Sequence, residues 1–261
     1  MLKDFDLTGK RALITGAGRG IGHGIALAMA EAGADIGVTS LGGDTALKVA
    51  DEVKALGRKG FGWAADATRV APMETLREQA FEALGGVDIL VNCLGDAIRG
   101  TISELPGVEG HALTESEWHH VIDVNLTQAY VGCHVFGPHL LEKGEAANVI
   151  NISSFAALRP GANMVAYAAG KTGLTRFTES LALEWAPYKV RVNAVAPGIF
   201  PDRYVMSDAE WDKRNEEITG VPLNRVGHPR EVGLVAVFLA SEAASYITGQ
   251  TIAIDGGRTL L

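Results

Sequence analysis

The chain has 261 residues, 47% of them hydrophobic and 21% charged, a composition that fits a globular protein with a substantial core. Its formal charge of −8 disfavours nucleic acid or an anionic membrane as partner, because phosphate-rich surfaces need a basic face. Two cysteines are too few for a disulfide framework, and no signal peptide or roughly 18-residue apolar run is visible, so the expected compartment is the cytoplasm.

Short β-branched runs alternate with helical patterns from end to end. A strand at 10–16 runs through TGAGRGIG (15–22) into a helix closed by Gly33. Then come a strand at 35–40, a helix at 46–57, a strand near 60–66, a helix over 71–84 and a strand at 87–92. After a long polar loop, TESE at 114–117 has the form of a capping box and opens a helix reaching about Leu141. A strand at 148–153, a helix at 164–186 and a strand at 190–198 follow. Ser207 and Glu210 have the spacing to cap a short helix across 208–217. A helix from about Pro229 and a strand at 251–255 complete the pattern. This alternation predicts one α/β domain over 1–261, doubly wound and Rossmann-like, with a seven-stranded parallel sheet covered by helices on both faces.

Chemistry concentrates at a few places. In the first turn, Gly16, Gly20 and Gly22 let the backbone bend, approach a pyrophosphate and bring helix against strand, while the helix start faces the anion. Further on, YAAGK at 167–171 sets a phenol and an ammonium one helical turn apart, with only Ala168, Ala169 and Gly170 between them. A phenol of pKa near 10 is poorly matched to neutral pH. A cation about 4 Å away, at an effective dielectric of about 20, favours phenolate by about 4 kcal/mol. That lowers the pKa by roughly three units before desolvation takes some back. Seven histidines raise the question of a metal. His119 and His120 point to different helix sides and His134 and His139 are not at i,i+4, so no metal site is expected.

Taken together, TGAGRGIG, DILVNCLG, DVNL, NISS, YAAGK, VNAVAPG and TGQTIAIDGG resemble, in order and spacing, the motifs of the short-chain dehydrogenase/reductase family in its roughly 250-residue form. The resemblance spans essentially the whole chain. It implies an enzyme that interconverts a ketone and a secondary alcohol with a nicotinamide dinucleotide, and a homotetramer. By resemblance, Tyr167 is the general acid/base, Lys171 its tuner and a ribose contact, Ser154 the anchor of the substrate oxygen, and Asn125 the holder of a water beside the lysine. Ser153 competes with Ser154 but faces the other way at the strand end. Gly16, Gly18, Arg19, Gly20, Ile21, Gly22, Ser40, Asp66, Ala67, Asn92, Gly95, Pro197, Gly198 and Phe200, with Tyr167 and Lys171, are the implied cofactor contacts. Asp66 also reads as a turn residue, and Asn125 as a helix kink.

Ser40 ends the second strand where an NAD-selective member carries Asp, and Arg19 can donate to a 2′-phosphate, so NADP(H) is preferred with NAD(H) the alternative. Asp44 opposes that preference if its loop folds back. Three features depart from the family: Cys93 and Leu94 after Asn92, Asp202 in place of Thr, and a longer loop at 96–113. Residues 199–224 are expected to form a substrate flap carrying Arg203, Tyr204, Trp211 and Arg214. The substrate reading is a small polar or sugar-like ketone or alcohol, as in gluconate-type relatives. The alternatives are a 3-oxoacyl thioester and, outside catalysis, a dinucleotide sensor.

Overall fold

Strand β1 (Arg11–Ile14) is apolar on both sides because both are covered: Ala12 and Ile14 enter one layer, Leu13 the other. The chain is described by a computed structural model over residues 2–106 and 110–261. Strands β2 (Asp35–Ser40), β3 (Gly60–Ala64), β4 (Ile89–Asn92), β5 (Asn148–Ile152), β6 (Arg191–Pro197) and β7 (Thr251–Ile254) join β1 in one sheet. Every pairing is parallel, in the order β3-β2-β1-β4-β5-β6-β7. The seven-stranded parallel sheet expected from the sequence is present.

The helices are α1 (Gly20–Glu31), α2 (Asp44–Ala55), α3 (Val70–Leu84), α4 (Glu115–Ile122), α5 (Gln128–Lys143), α6 (Val165–Trp185), α7 (Asp208–Glu216) and α8 (Pro229–Ala240). Apolar residues of α1, α2 and α8 bury one face of the sheet, and those of α3, α5 and α6 bury the other. Helices α1 and α8 cross almost backbone to backbone: a Cβ on Gly24 would stand 2.6 Å from the Pro229 carbonyl, and one on Gly233 2.5 Å from the Gly24 oxygen. Any side chain there would overpack the crossing.

Thr114 closes the predicted capping box, its amide donating to the Glu117 carboxylate at 2.8 Å. The helix expected to run from there to about Leu141 is present, α4 continuing without interruption into α5 through a π turn, Asp123–Thr127. Asn125 supplies the reason. Its side-chain amide donates to the Val121 carbonyl at 2.8 Å, the acceptor that its own backbone amide would take in an α-helix.

Because β1 and β4 are neighbours, successive crossovers leave the middle of the sheet in opposite directions, and a crevice opens beyond the strand carboxyl ends. Among the described residues, no helix is long and apolar enough to cross a membrane, and no cluster of His, Cys, Asp and Glu is placed to hold a metal ion.

Candidate active site

That crevice is a cleft of about 1390 Å³. Gly16, Gly18, Arg19, Gly20, Ile21 and Gly22 form one end of it. Gly16 and Gly20 sit at φ +65° and +56°, backbone that L side chains resist. A Cβ on Gly18 would collide with the Thr45 hydroxyl, and one on Gly22 would stand 2.7 Å from the Ala17 Cα. The turn therefore has no room for side chains, and the first amides of α1 open onto the cleft. These features fit an anionic dinucleotide.

At the β2 edge, the Ser40 oxygen accepts from the amides of Gly43 (3.1 Å) and Ala46 (3.3 Å), anchoring the start of α2. Its hydroxyl hydrogen is left to donate. Arg19 is exposed on the cleft wall, and Asp44 opens α2 without lining the cleft. Asp66 and Ala67 line it too. Asp66 also plays the turn role, accepting from the Thr68 amide (2.9 Å) and hydroxyl (2.6 Å).

Asn92 does not line the cleft, contrary to expectation. It is fully buried, and its amide donates to Asn151 at 2.8 Å. The sheet register turns it toward α5, where Gly132 leaves space that a Cβ would take from its carbonyl oxygen. Gly95 does reach the cleft. A Cβ there would stand 3.2 Å from Lys171 Nζ and 3.4 Å from Asn125 Oδ1.

The π turn presents Asn125 to this spot, tied by its amide to the Asp96 carbonyl at 2.7 Å. Its Oδ1 is buried without a partner. Gly170 on α6 admits the turn, since a Cβ there would come to 3.0 Å from Asn125 Cβ. Lys171, almost wholly buried, donates to the carbonyls of Ile152 (2.7 Å) and Leu94 (3.0 Å). Burial pushes its pKa down to about 8.

Tyr167 and Ser154 meet on the cleft wall. Burial raises the phenol's pKa above its ordinary value, the Ser154 hydroxyl pulls it back, and the Asp96 carboxylate raises it further. The expectation of a phenol acidified on balance is not met, because burial is the largest influence on it. The carbonyls of Leu94, just beyond β4, and Ile152, at the end of β5, hold the ammonium. Ser153 turns the other way, donating to the Lys171 carbonyl at 3.1 Å and meeting the Thr175 hydroxyl at 3.0 Å.

A family profile described as enoyl-(acyl carrier protein) reductase matches residues 16–259. The chain belongs to the short-chain dehydrogenase/reductase family. It is 35% identical over 256 residues to a 2-dehydro-3-deoxy-D-gluconate 5-dehydrogenase of Bacillus subtilis, covering 97% of this chain and 96% of the relative. It is 33% identical over 256 residues to a 3-oxoacyl-[acyl-carrier-protein] reductase of Chlamydia pneumoniae, covering 98% and 99%. Among solved structures, a gluconate 5-dehydrogenase from Burkholderia cenocepacia in complex with NADP and tartrate superposes with a TM-score of 0.86 at 31% identity, covering 100% of this chain and 99% of that one. A 7α-hydroxysteroid dehydrogenase with NADH and 7-oxo glycochenodeoxycholic acid gives 0.85 at 30%, covering 97% and 96%. This short-chain dehydrogenase/reductase is an NAD(P)-dependent oxidoreductase acting on alcohol and carbonyl groups.

In this dehydrogenase/reductase, Pro197, Gly198, Phe200 and Asp202 line the cleft from the β6 side. A Cβ on Gly198 would stand 2.7 Å from the Asp255 Cα, which ties this segment to the end of β7. The flap residues named from sequence do not face the cleft. Arg203 pairs with Asp208 and lies 5.5 Å from the Trp211 ring, Tyr204 stacks on His23 with centroids 3.9 Å apart, and Arg214 is exposed. Ring contacts hold Tyr204 against α1 and, with Trp211, against His228 at the start of α8. Sequence reasoning missed Arg99, Met164 and Arg258, which do line the cleft. Arg258 arrives by a fold-back of the carboxyl terminus that no local motif signals. Residues 107–109 of the long loop lie outside the described residues. Of the rest, Gly100 bridges to Met164 at the start of α6.

Proposed function

We propose that this chain is an NADP(H)-preferring enzyme, usable with NAD(H), that interconverts a ketone and a secondary alcohol on a small polar or sugar-like molecule. One dinucleotide-binding and catalytic unit over 1–261, working in the cytoplasm as a homotetramer, is part of the proposal. Gly16, Gly18, Arg19, Gly20, Ile21 and Gly22 hold the diphosphate end, Ser40 and Arg19 a 2′-phosphate, Asp66 and Ala67 the adenine side, and Gly95, Pro197, Gly198 and Phe200 the nicotinamide side. A bound nicotinamide supplies or accepts the hydride.

Ser154 donates to the carbonyl oxygen and holds it against Tyr167 Oη. Tyr167, whose burial keeps it protonated at neutral pH, gives that oxygen its proton in reduction. In oxidation the phenol must lose its proton, and the buried ammonium of Lys171, one turn away, is the cation that stabilises the phenolate once it forms. Lys171 Nζ and Asn125 Oδ1 converge beside Gly95, a pair of polar atoms that one water can bridge on the proton's way to solvent.

The observation that carries the reading is the convergence of Ser154, Tyr167, Lys171 and Asn125 at the carboxyl end of the sheet. Similarity to the 3-oxoacyl-[acyl-carrier-protein] reductase favours a second substrate class, a 3-oxoacyl thioester. A panel of sugar acids, polyols, simple ketones and acetoacetyl-CoA, run with NADPH, NADH and their oxidised forms, tests the proposal. The expected result is NADPH-dependent turnover of a small polar member. Nucleotide binding without turnover anywhere in the panel refutes it, and turnover of acetoacetyl-CoA alone selects the thioester.

A further inference from the structure

The substrate end of the cleft carries cations that the protein itself does not neutralise. Arg258 lies with its guanidinium 4.9 Å from the ring centroid of Phe155, the residue after Ser154. Its Nη1 donates to the carbonyls of Thr219 and Gly220, both at 3.2 Å. Its Nε is buried with no acceptor, and no carboxylate pairs with it among the described residues. A guanidinium has five N–H donors and a planar fork that matches a carboxylate, so most of its capacity is unspent.

Arg99 also lines the cleft, exposed and likewise without a carboxylate partner among the described residues. It is fixed near the catalytic helix because the neighbouring Gly100 amide donates to the Asn163 carbonyl at 3.1 Å. Four aspartates also line the cleft, and Asp66 among them accepts from Thr68. Asp96 pairs with His120 at 3.0 Å and Asp123 with Arg69 at 3.1 Å. Asp202 lies at the phosphate turn, 3.9 Å from where a Gly20 Cβ would be. Arg258, beside Ser154, and Arg99 thus bring cleft-lining cations without carboxylate partners among the described residues to a chain whose net charge is −8.

We propose that Arg258, assisted by Arg99, binds a carboxylate of the substrate, which makes the substrate a keto acid or hydroxy acid rather than a neutral polyol or a thioester. Stacking on Phe155 holds the guanidinium beside the serine that grips the reacting oxygen. One molecule can then present its acid to Arg258 and its ketone to Tyr167. The inference rests on the oxidoreductase reading of this same site.

Levulinate and methyl levulinate are the same ketone with and without the charge, and their NADPH-dependent reduction is the test. The wild type is expected to favour levulinate. Arg258→Gln should raise KM for levulinate about 10- to 100-fold, the range spanned by hydrogen bonds to charged groups, with a far smaller effect on the ester. Arg258→Lys should recover part of the loss. Equal losses on acid and ester would mean that Arg258 only braces Thr219 and Gly220, and would overturn the proposal, as would a wild type that treats both ketones alike. Calorimetric titration of D-gluconate into NADP-loaded protein separates the two readings. Binding that weakens at least tenfold in Arg258→Gln supports the acid subsite even if no ketone is turned over, whereas no binding to the wild type, or equal binding to both, overturns it.

Discussion

Replacing Ser40 with Asp probes the cofactor preference at the point where β2 hands over to α2. The Ser40 oxygen accepts from the Gly43 and Ala46 amides at 3.1 and 3.3 Å, and a carboxylate is an equally good acceptor at a helix start. The fold should therefore tolerate the change, with Tm within about 2 °C of wild type. Function should not. A 2′-phosphate carries close to two negative charges, and at about 5 Å with an effective dielectric of about 20 each repels the new carboxylate by about 3 kcal/mol. Solvent and the exposed Arg19 screen much of that, so a net loss of about 3 kcal/mol is a conservative figure. The ratio of kcat/KM for NADPH over NADH should then fall by about 100-fold. Steady-state kinetics with both nucleotides on both proteins reads the ratio directly. A wild type that already favours NADH, or a Ser40→Asp protein with an unchanged ratio, refutes the reasoning.

Asp88 supports the sheet from below, accepting from Arg11 Nε at 2.7 Å and Lys143 Nζ at 2.6 Å. Burial opposes its ionisation, but those two cations outweigh it and hold the carboxyl below its usual range. The stabilisation is present above the ordinary carboxylate pKa and is lost as pH falls through the depressed one. Asp88→Asn should cost about 3–5 kcal/mol in urea unfolding at pH 7, the penalty for breaking a buried pair, and should flatten the acid limb. Wild-type stability in that variant would remove the pair from the account. Light scattering checks the proposed tetramer: β7 is an edge strand with no fully buried residue, and Leu183 on α6 and Tyr246 are exposed, surface that association would cover. Four chains per particle are the expected result, and a monomeric mass would contradict the proposal.

What was legible in the sequence was local. Residues 35–40 are β2 to the residue, and both capping boxes, at Thr114 and Ser207, formed as their spacing required. The glycine turn could be placed because a strand end, four glycines and a helix start lie within eight residues. The misreadings all depend on distant contacts. Asn92 turns inward because α5 covers that face of β4, and Tyr204 turns from the cleft because it stacks on His23 of α1. The Tyr167–Lys171 spacing was visible, but the carbonyls that capture the ammonium come from residues 94 and 152. Arg258 reaches the cleft from three residues before the end of the chain, through contacts with Phe155, Thr219 and Gly220 that periodicity cannot encode.

Removing one oxygen tests the central claim most directly. Tyr167→Phe keeps the ring in its half-buried position and deletes only the proton carrier. Turnover of whatever ketone the wild type reduces should drop by at least about 100-fold, while NADPH, titrated by fluorescence, binds with an unchanged Kd. Turnover near the wild-type rate in Tyr167→Phe would contradict the account.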